Sequence, residues 1–520
     1  MNFFNNHNHT DLGSNSSCGF PDVINRVPDL IQRAYDLGLQ GITITDHESL
    51  SAHIQALKYY NKMTKERPFI LALGNECYLL DEQEDIDNRD NNGHTPYYHF
   101  ILTALDTEGH KQLRQLSDRA WRRAYKQFIY RRPTYYSDLE EIIKPNQGHI
   151  IASTACLGSR LDKLLLEQDE DEPWSAPIEE VYRLIDIFGK DNLYLEIQPS
   201  KEVGTDQSIV NQRMWKLSEA VDLPIIPTTD SHYLRKEDAE IHRVYLNSQD
   251  GEREVDDFYA TAYLMSEEEL CNYLKHDFTD EQIKQMLEWS CELGNRITEY
   301  NIFHKPIIPQ IPEWKLPTYS IKNTFNQYYD RYPNFGFYAS VDRPLHERYF
   351  FSQIETALEN KIVNDKNKNN LLEKYIARLD EEWKELIIIS KELNTSMASY
   401  YSTMSKIIDL IWEAGSLAMP ARGSAAGFLT CYLLEVTQID PVPLGDYFPS
   451  WRHLNHQRGV ELPDIDNDSE ASKKQAIVNK MKEYFGEDKV LNVATFSKIT
   501  AKTAIERACK GLNISNDIAA

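Results

Sequence analysis

The chain has 520 residues, 41 % of them hydrophobic and 11 % aromatic, enough apolar material for about two to four packed domains. A formal net charge of -25 excludes a protein coated in nucleic acid by bulk attraction, but leaves room for a local basic groove or a site that collects divalent cations. The start MNFFNNHNHTD is not a signal peptide, no apolar run reaches membrane-span length, and the seven cysteines form no C-x-x-C pair, so a cytoplasmic protein with reduced thiols and no membrane contact is expected.

In chain order, the first ~270 residues alternate short β-branched runs with amphipathic stretches such as VPDLIQRAYDLGLQ. The runs are GITITD (41–46), FILALGNE (69–76), HFILTALD (99–106), HIIASTAC (149–156), LYLEIQ (193–198) and LPIIPTTD (223–230). Repeated βα units of this kind predict a parallel sheet or barrel. The acidic stretches 81–90 and 167–173 read as solvated loops, and the basic, aromatic stretch 119–136 reads first as a surface helix, with single-stranded DNA binding as the alternative. From about 270 the texture changes to long amphipathic helices around a proline-rich connector (303–319), followed by MPARGSAAGFLTCYLLEV and ELPDIDNDSE.

Residue types that bind metals recur where the runs end. His7-Asn8-His9 puts two imidazoles on one side of an extended segment. Asp46-His47, Glu76, Cys156 and Asp230-Ser231-His232 close runs, and His99 begins one. In βα barrels the C-terminal strand ends share one mouth, and a mixture of imidazole, thiolate and carboxylate suits zinc, manganese or iron. A single His-x-His is weak; several independent strand ends with a plausible ligand are explained by one shared centre. His53, His94, His110, His276 and His346 fall outside the pattern and read as surface residues.

The segments NNHNHTD, DVINR, GITITDHESLSAH, LGNECYL, YYHFILTA, IIASTACLG and IIPTTDSHYLRKEDAEIH resemble the polymerase and histidinol phosphatase (PHP) domain, in the form that opens the α subunit of bacterial DNA polymerase III. The resemblance implies a distorted (βα) barrel and a nine-member ligand set: His7, His9, Asp22, His47, Glu76, His99, Cys156, Asp230 and His232, with Asp11 as the alternative to Asp22. It further implies up to about three Zn2+ or Mn2+ ions and a phosphoesterase, such as a 3′-5′ exonuclease. A metal site that is only structural is the other reading.

Further along, the glycine-rich loop PARGSAAGF (420–428) offers backbone N–H groups, the Ser424 hydroxyl and the Arg422 cation, a pattern able to hold phosphate. About forty residues later Asp464, Asp466 and Asp468 alternate with Ile465 and Asn467, which on a strand would place three carboxylates on one face. Each motif alone is weak, close packing and an acidic turn being the bland explanations. Together, ARGSAAGFLTCYLLEVTQIDPV, LPDIDND and VATFSKITAKTAIERA resemble the palm of the same α subunit, a polymerase-β-like nucleotidyltransferase.

That resemblance implies triphosphate binding by Arg422, Gly423 and Ser424, paired catalytic aspartates Asp464 and Asp466 holding Mg2+, and a lesser role for Asp468. Lys498 and Lys502 would approach DNA or simply be solvated. The expected layout is a PHP barrel over 1–270, an α+β palm over 271–490 and the start of a thumb over 491–520. The family's third aspartate, its fingers and its clamp-binding region lie beyond such a chain. Primer-template DNA, dNTPs, a C-terminal polymerase half in trans and a sliding clamp are the implied partners. A split gene, an interrupted reading frame and a truncation all fit the ending. The rival expectations are a stand-alone PHP phosphoesterase and a non-catalytic scaffold subunit.

Overall fold

Eight short strands carry the first half of the chain: β1 (Phe4–Asn5), β2 (Gly41–Ile44), β3 (Ile70–Leu80), β4 (Tyr98–Ala104), β5 (Pro133–Tyr135), β6 (Ile150–Ser153), β7 (Leu193–Ile197) and β8 (Ile225–Pro227). The structure, a computed structural model, describes residues 3–13, 21–88, 97–123, 133–168, 174–250, 259–459, 462–491 and 498–515. The strands follow the order β1-β2-β3-β4-β6-β7-β8, with β5 beside β3. Just past β1 and β8, Asn8 bridges Ser231 in parallel and the His9 N–H donates to the Ser231 carbonyl at 3.2 Å, which nearly closes the sheet into a barrel.

The pairing departs from an all-parallel barrel at one place. β4 runs antiparallel to both β3 (Tyr78↔His99) and β6 (Ile101↔Ser153). Its N-terminal end therefore lies at the mouth where the parallel strands end. This is why His99 begins its run while the other candidate ligands close theirs.

The barrel interior is layered. Phe4, Ala72, Leu105, Ile151, Tyr194 and Ile226 form an apolar floor against Leu293. Above it Asn6 accepts from the Thr43 and Thr103 hydroxyls at 2.7 and 2.9 Å. The titratable side chains occupy the next level. Helices cover the outside with an i, i+3, i+4, i+7 apolar face, as in Val27–Asp36, where Val27, Leu30, Ile31 and Ala34 are buried. Each such Leu or Ile contributes about 1.5–3 kcal/mol of burial. Gly109 in helix Thr107–Arg122 permits close docking, since a Cβ there would lie 2.0 Å from the His149 carbonyl oxygen.

By contacts the chain divides into Met1–Ile302 with Phe496–Ala520, and Phe303–Thr495. The change of texture near 270 does not coincide with this division. Helices Glu267–Leu274 and Asp280–Asn295 send Leu270, Leu274, Ile283, Met286 and Leu287 into the barrel's core. Helix Ala501–Gly511 packs on Ala239–Asp250 in the same unit.

The second unit is built around helix Leu372–Leu393, with Trp383 buried among Phe335, Tyr338 and Phe350. Among its described residues there is no strand, only an isolated antiparallel bridge from Ala418 to Ser469. The Asp triplet is thus not on a strand. Its backbone is irregular, yet exposure still alternates, with Asp464, Asp466 and Asp468 outward and Ile465 and Asn467 half-buried.

Four surface assignments change. The basic stretch 119–136 is not one surface helix, since helix Thr107–Arg122 ends within it and its far end, Pro133–Tyr135, is the buried strand β5. His53 and His110 are buried, not exposed: His53 Nδ1 lies 3.1 Å from His110 Nε2, and its Nε2 2.9 Å from the Gly74 carbonyl. They sit on the inner faces of helices His53–Lys62 and Thr107–Arg122, where helical period outweighs their polarity. The acidic stretch from 81 is not simply loop. Glu82–Asp87 is a short helix, Asp81 pairs with Arg183 and Asp85 accepts from the Tyr135 hydroxyl. His276 is exposed and His346 half-buried, while His94, 89–90 and 169–173 lie outside the described residues. No helix among the described residues is long and apolar enough to cross a membrane.

Candidate metal centre and nucleotide-binding loop

All nine candidate ligands are described, and they gather at the barrel mouth. Glu76 is the hub. Its Oε2 lies 3.4 Å from His7 Nε2, 3.2 Å from His9 Nε2 and 2.8 Å from His47 Nδ1, and its Oε1 lies 2.7 Å from His99 Nδ1. Asp230 Oδ1 approaches His9 Nε2 at 2.9 Å and His7 Nε2 at 3.2 Å. Cys156 Sγ is 3.4 Å from His99 Nδ1. The His232 ring lies 4.7 Å from that of His9, and the His9 ring stacks on His47 at 4.3 Å. Asp22 Oδ2 is 3.9 Å from His47 Nε2. Asp11 is exposed and faces Arg26 and Asp29, so geometry favours Asp22 for the carboxylate position.

Two observations fit this cluster to cations. First, three overlapping donor sets have ligand atoms within 4.8 Å of one another: His9, His47, His232; His7, His9, Glu76; and His47, Glu76, His99. Second, both Glu76 oxygens and Asp230 Oδ1 are buried without an aligned hydrogen bond among the described residues, despite the imidazole nitrogens around them. Such donors aim at shared points rather than at each other. A buried carboxylate costs several kcal/mol unless it is compensated, so this crowding of donor atoms suits positive charge at those points.

Within the cluster the carboxylates and imidazoles shift one another. Burial would raise Glu76 and Asp230, but the His47, His99 and His7 rings hold Glu76, and His7 and His232 hold Asp230, well below the usual carboxylate range. Burial would lower His9, yet Asp230 and Glu76 raise it to about 10. His232, where burial prevails, is lowered to about 4.

Three further residues orient the candidate ligands: Glu196 and His242, missed in the sequence, and Asp46, noted there only as the end of a run. Glu196, wholly buried on β7, takes His7 Nδ1 at 2.7 Å and is itself held by the Ser153 and Thr228 hydroxyls at 2.6 and 2.7 Å. This fixes the His7 tautomer with Nε2 facing the centre. Asp46 accepts from the Thr10 N–H and hydroxyl, pinning the segment after His9. His242 donates through Nε2 to the Asp22 carbonyl at 2.6 Å. The only signal in the sequence is their place at strand ends or just beyond the Asp230-Ser231-His232 run.

In the second unit the glycine loop and the aspartates come together. The Met419 N–H donates to the Asp468 carbonyl at 3.0 Å beside the Ala418–Ser469 bridge. Arg422 Nη1 reaches Asp468 Oδ1 at 2.5 Å, and its Nε lies 3.8 Å from Asp466 Oδ2. Gly423 has φ +62°, and a Cβ there would lie 3.6 Å from Asp466 Oδ2, so only glycine serves the turn without strain. Ser424 is half-buried and Asp464 exposed.

The remaining basic candidates are not gathered into either site. Arg119 and Arg123 pair with Asp138 and Arg122 with Asp118, while 124–132 lie outside the described residues. Lys498 is exposed, and Lys502 is exposed 3.8 Å from Glu506.

Residues 7–200 match the PHP domain family, and residues 348–520 match the family described as the bacterial DNA polymerase III alpha NTPase domain. The chain is 38 % identical over 532 residues to the probable DNA polymerase YorL of Bacillus subtilis (strain 168) and equally to the DNA-directed DNA polymerase of Bacillus phage SPbeta, covering 98 % of this chain and 40 % of each relative. It is 29 % identical over 492 residues to DNA polymerase III subunit alpha of Thermus aquaticus, covering 89 % of this chain and 38 % of that relative. The chain thus spans about two fifths of the length of the curated relatives it matches.

Proposed function

We propose that this chain, a DNA polymerase III α-type region with a PHP domain, forms part of a DNA-directed DNA polymerase that adds dNTPs to a primer 3′ end on template DNA. The observation that carries this reading is the docking of loop 419–424 on the aspartates, with Arg422 against Asp466 and Asp468. Arg422, Gly423 and Ser424 receive the triphosphate. Asp464 and Asp466 would hold Mg2+, which supplies charge stabilisation for in-line transfer at the α-phosphate. Arg422, now held by carboxylates, turns to phosphate oxygens when nucleotide arrives, since guanidinium pairs well with both. A third carboxylate, the fingers and the clamp contact come from the rest of the polymerase, in the same polypeptide or in trans.

The test is primer extension by the assembled polymerase containing this chain. Templated incorporation is expected, and its loss in Asp464→Ala. Full incorporation by that variant would sink the assignment.

A second activity is favoured by the nine-residue cluster. We infer that the PHP domain is a metal-dependent phosphoesterase, acting as a 3′-5′ exonuclease. His7, His9, Asp22, His47, Glu76, His99, Cys156, Asp230 and His232 would hold Zn2+ or Mn2+, which supply a nucleophilic water and polarise the phosphoryl group. Glu196 keeps His7 in register, and Cys156 and His99 close one side of the mouth. Nucleotide release from a primer 3′ end, lost in His9→Ala, is the expected result. Absence of release by a metal-loaded chain would reduce this centre to a structural or scaffolding role.

A further inference from the structure

One buried histidine of the second unit belongs to neither candidate ligand set. His453 is only 6 % exposed, and its Nδ1 lies 3.1 Å from Ser424 Oγ, the hydroxyl of the glycine loop. Its ring is packed against Phe428 at 4.7 Å and Tyr401 at 6.1 Å. Its Nε2 is buried with no hydrogen-bond partner among the described residues. Burial lowers the imidazole to about 4, so the ring is neutral near pH 7 and carries one N–H.

The platform under this pair is tied together by hydrogen bonds. Arg378 Nη2 donates to the Gly427 and Phe448 carbonyls at 2.7 and 2.8 Å, tying the end of the loop to the segment that leads to His453. Glu382 beside it accepts from the Leu429 and Thr430 N–H groups at 2.6 and 3.0 Å. Ser450 is anchored on Glu381, and its carbonyl accepts the His453 N–H at 3.0 Å. Both members of the Ser424–His453 contact are therefore fixed from below, while the half-buried Ser424 keeps an open side.

The single ring proton has two possible seats. On Nε2 it would be a buried N–H without an acceptor, which folded proteins rarely tolerate. On Nδ1 it has a partner in Ser424 Oγ. A hydroxyl that accepts this bond retains its own proton for another acceptor.

We infer that His453 is the positioning residue of the nucleotide loop: its Nδ1–H donates to Ser424 Oγ and turns the Ser424 hydroxyl proton outward onto a phosphate oxygen of the incoming nucleoside triphosphate. The inference rests on the nucleotidyl-transfer reading above and deepens it. His453 itself touches no substrate. Without it the hydroxyl spends its proton elsewhere, and one phosphate hydrogen bond is lost.

The test is calorimetric titration of the 520-residue chain with inorganic tripolyphosphate in Mg2+. His453→Phe keeps a ring in the pocket but removes the donor; His453→Asn restores an N–H near the Nδ1 position. One hydrogen bond to a charged acceptor predicts roughly 10-fold weaker binding in His453→Phe and in Ser424→Ala, no further loss in the double variant, and recovery to within about 2-fold in His453→Asn. Nitrogen-15 spectra of the imidazoles, assigned by the resonance lost in His453→Phe, should show the proton on Nδ1.

If His453→Phe binds like wild type while Ser424→Ala is weakened, the positioning role is overturned and the nucleotidyl-transfer reading stands. A proton on Nε2 overturns it too. Failure of the wild-type chain to bind tripolyphosphate removes the inference together with the reading beneath it.

Discussion

Replacing Glu196 by Gln separates the charge behind the candidate metal centre from its shape. Glu196 is wholly buried and holds three neighbours: His7 Nδ1 at 2.7 Å and Thr228 Oγ1 at 2.7 Å on one oxygen, and Ser153 Oγ at 2.6 Å on the other. In Glu196→Gln the amide oxygen can keep His7 and Thr228, and the Ser153 hydroxyl can rotate to accept from the new NH2. Packing is unchanged, and what disappears is the negative charge that strengthens the His7 Nδ1–H bond and makes Nε2 a better ligand. A charge-assisted hydrogen bond is about twice as strong as a neutral one, so about 1–1.5 kcal/mol is lost, or roughly 10-fold in metal affinity. Glu196→Ala also strands the three partners in a dry interior and should cost about 100-fold in affinity and lower the melting temperature. The assay is competition for Zn2+ or Mn2+ against a chromophoric chelator, with thermal unfolding of the metal-free chain alongside. Unchanged affinity in Glu196→Gln would refute the assigned linkage from Glu196 through His7 to metal.

Two further outcomes follow from buried geometry elsewhere. Burial lowers His53 to about 3 and His110 to about 4, against about 6.5 unfolded. The unfolded chain therefore takes up protons that the fold refuses, so their stabilisation is full above pH 6.5 and is lost as pH falls toward 4. Urea denaturation should show up to about 1.4 kcal/mol of lost stability per pH unit for each, and a flatter profile in the His53→Gln/His110→Gln double variant; identical profiles would show that the pair does not titrate this way. A Cβ on Gly511 would lie 2.0 Å from the Val244 carbonyl oxygen, so Gly511→Ala should push helix Ala501–Gly511 off Ala239–Asp250 at a cost of about 1–3 kcal/mol. Hydrogen exchange over 501–511 should accelerate; unaltered protection would contradict the close packing.

Much of the barrel was legible because its physics is local. Six β-branched runs mark six of the eight strands, and ligand-type residues at their ends mark the mouth. β1 and β5, two and three residues long, are too short to leave a period. The reversal of β4 was hidden as well, although His99 at the start of its run was its trace in the sequence. His53 and His110 read as surface residues because polarity does not report which helical face a residue occupies. Glu196 looked like an ordinary strand residue, since its role depends on His7, which is 189 positions away. The Asp triplet kept its alternating exposure without a strand, and its link to the glycine loop is a tertiary contact that spacing alone does not reveal.

The metal stoichiometry of the chain tests the centre most directly. Glu76 belongs to two of the three donor sets, His7-His9-Glu76 and His47-Glu76-His99. Chelator-treated chain reloaded with Mn2+ or Zn2+, desalted and measured by elemental analysis, should hold more than one ion. Glu76→Ala should lose at least one of them while keeping its fold by circular dichroism. A wild-type chain that takes up no ion, or a Glu76→Ala chain that keeps the full complement, would contradict a centre organised around Glu76.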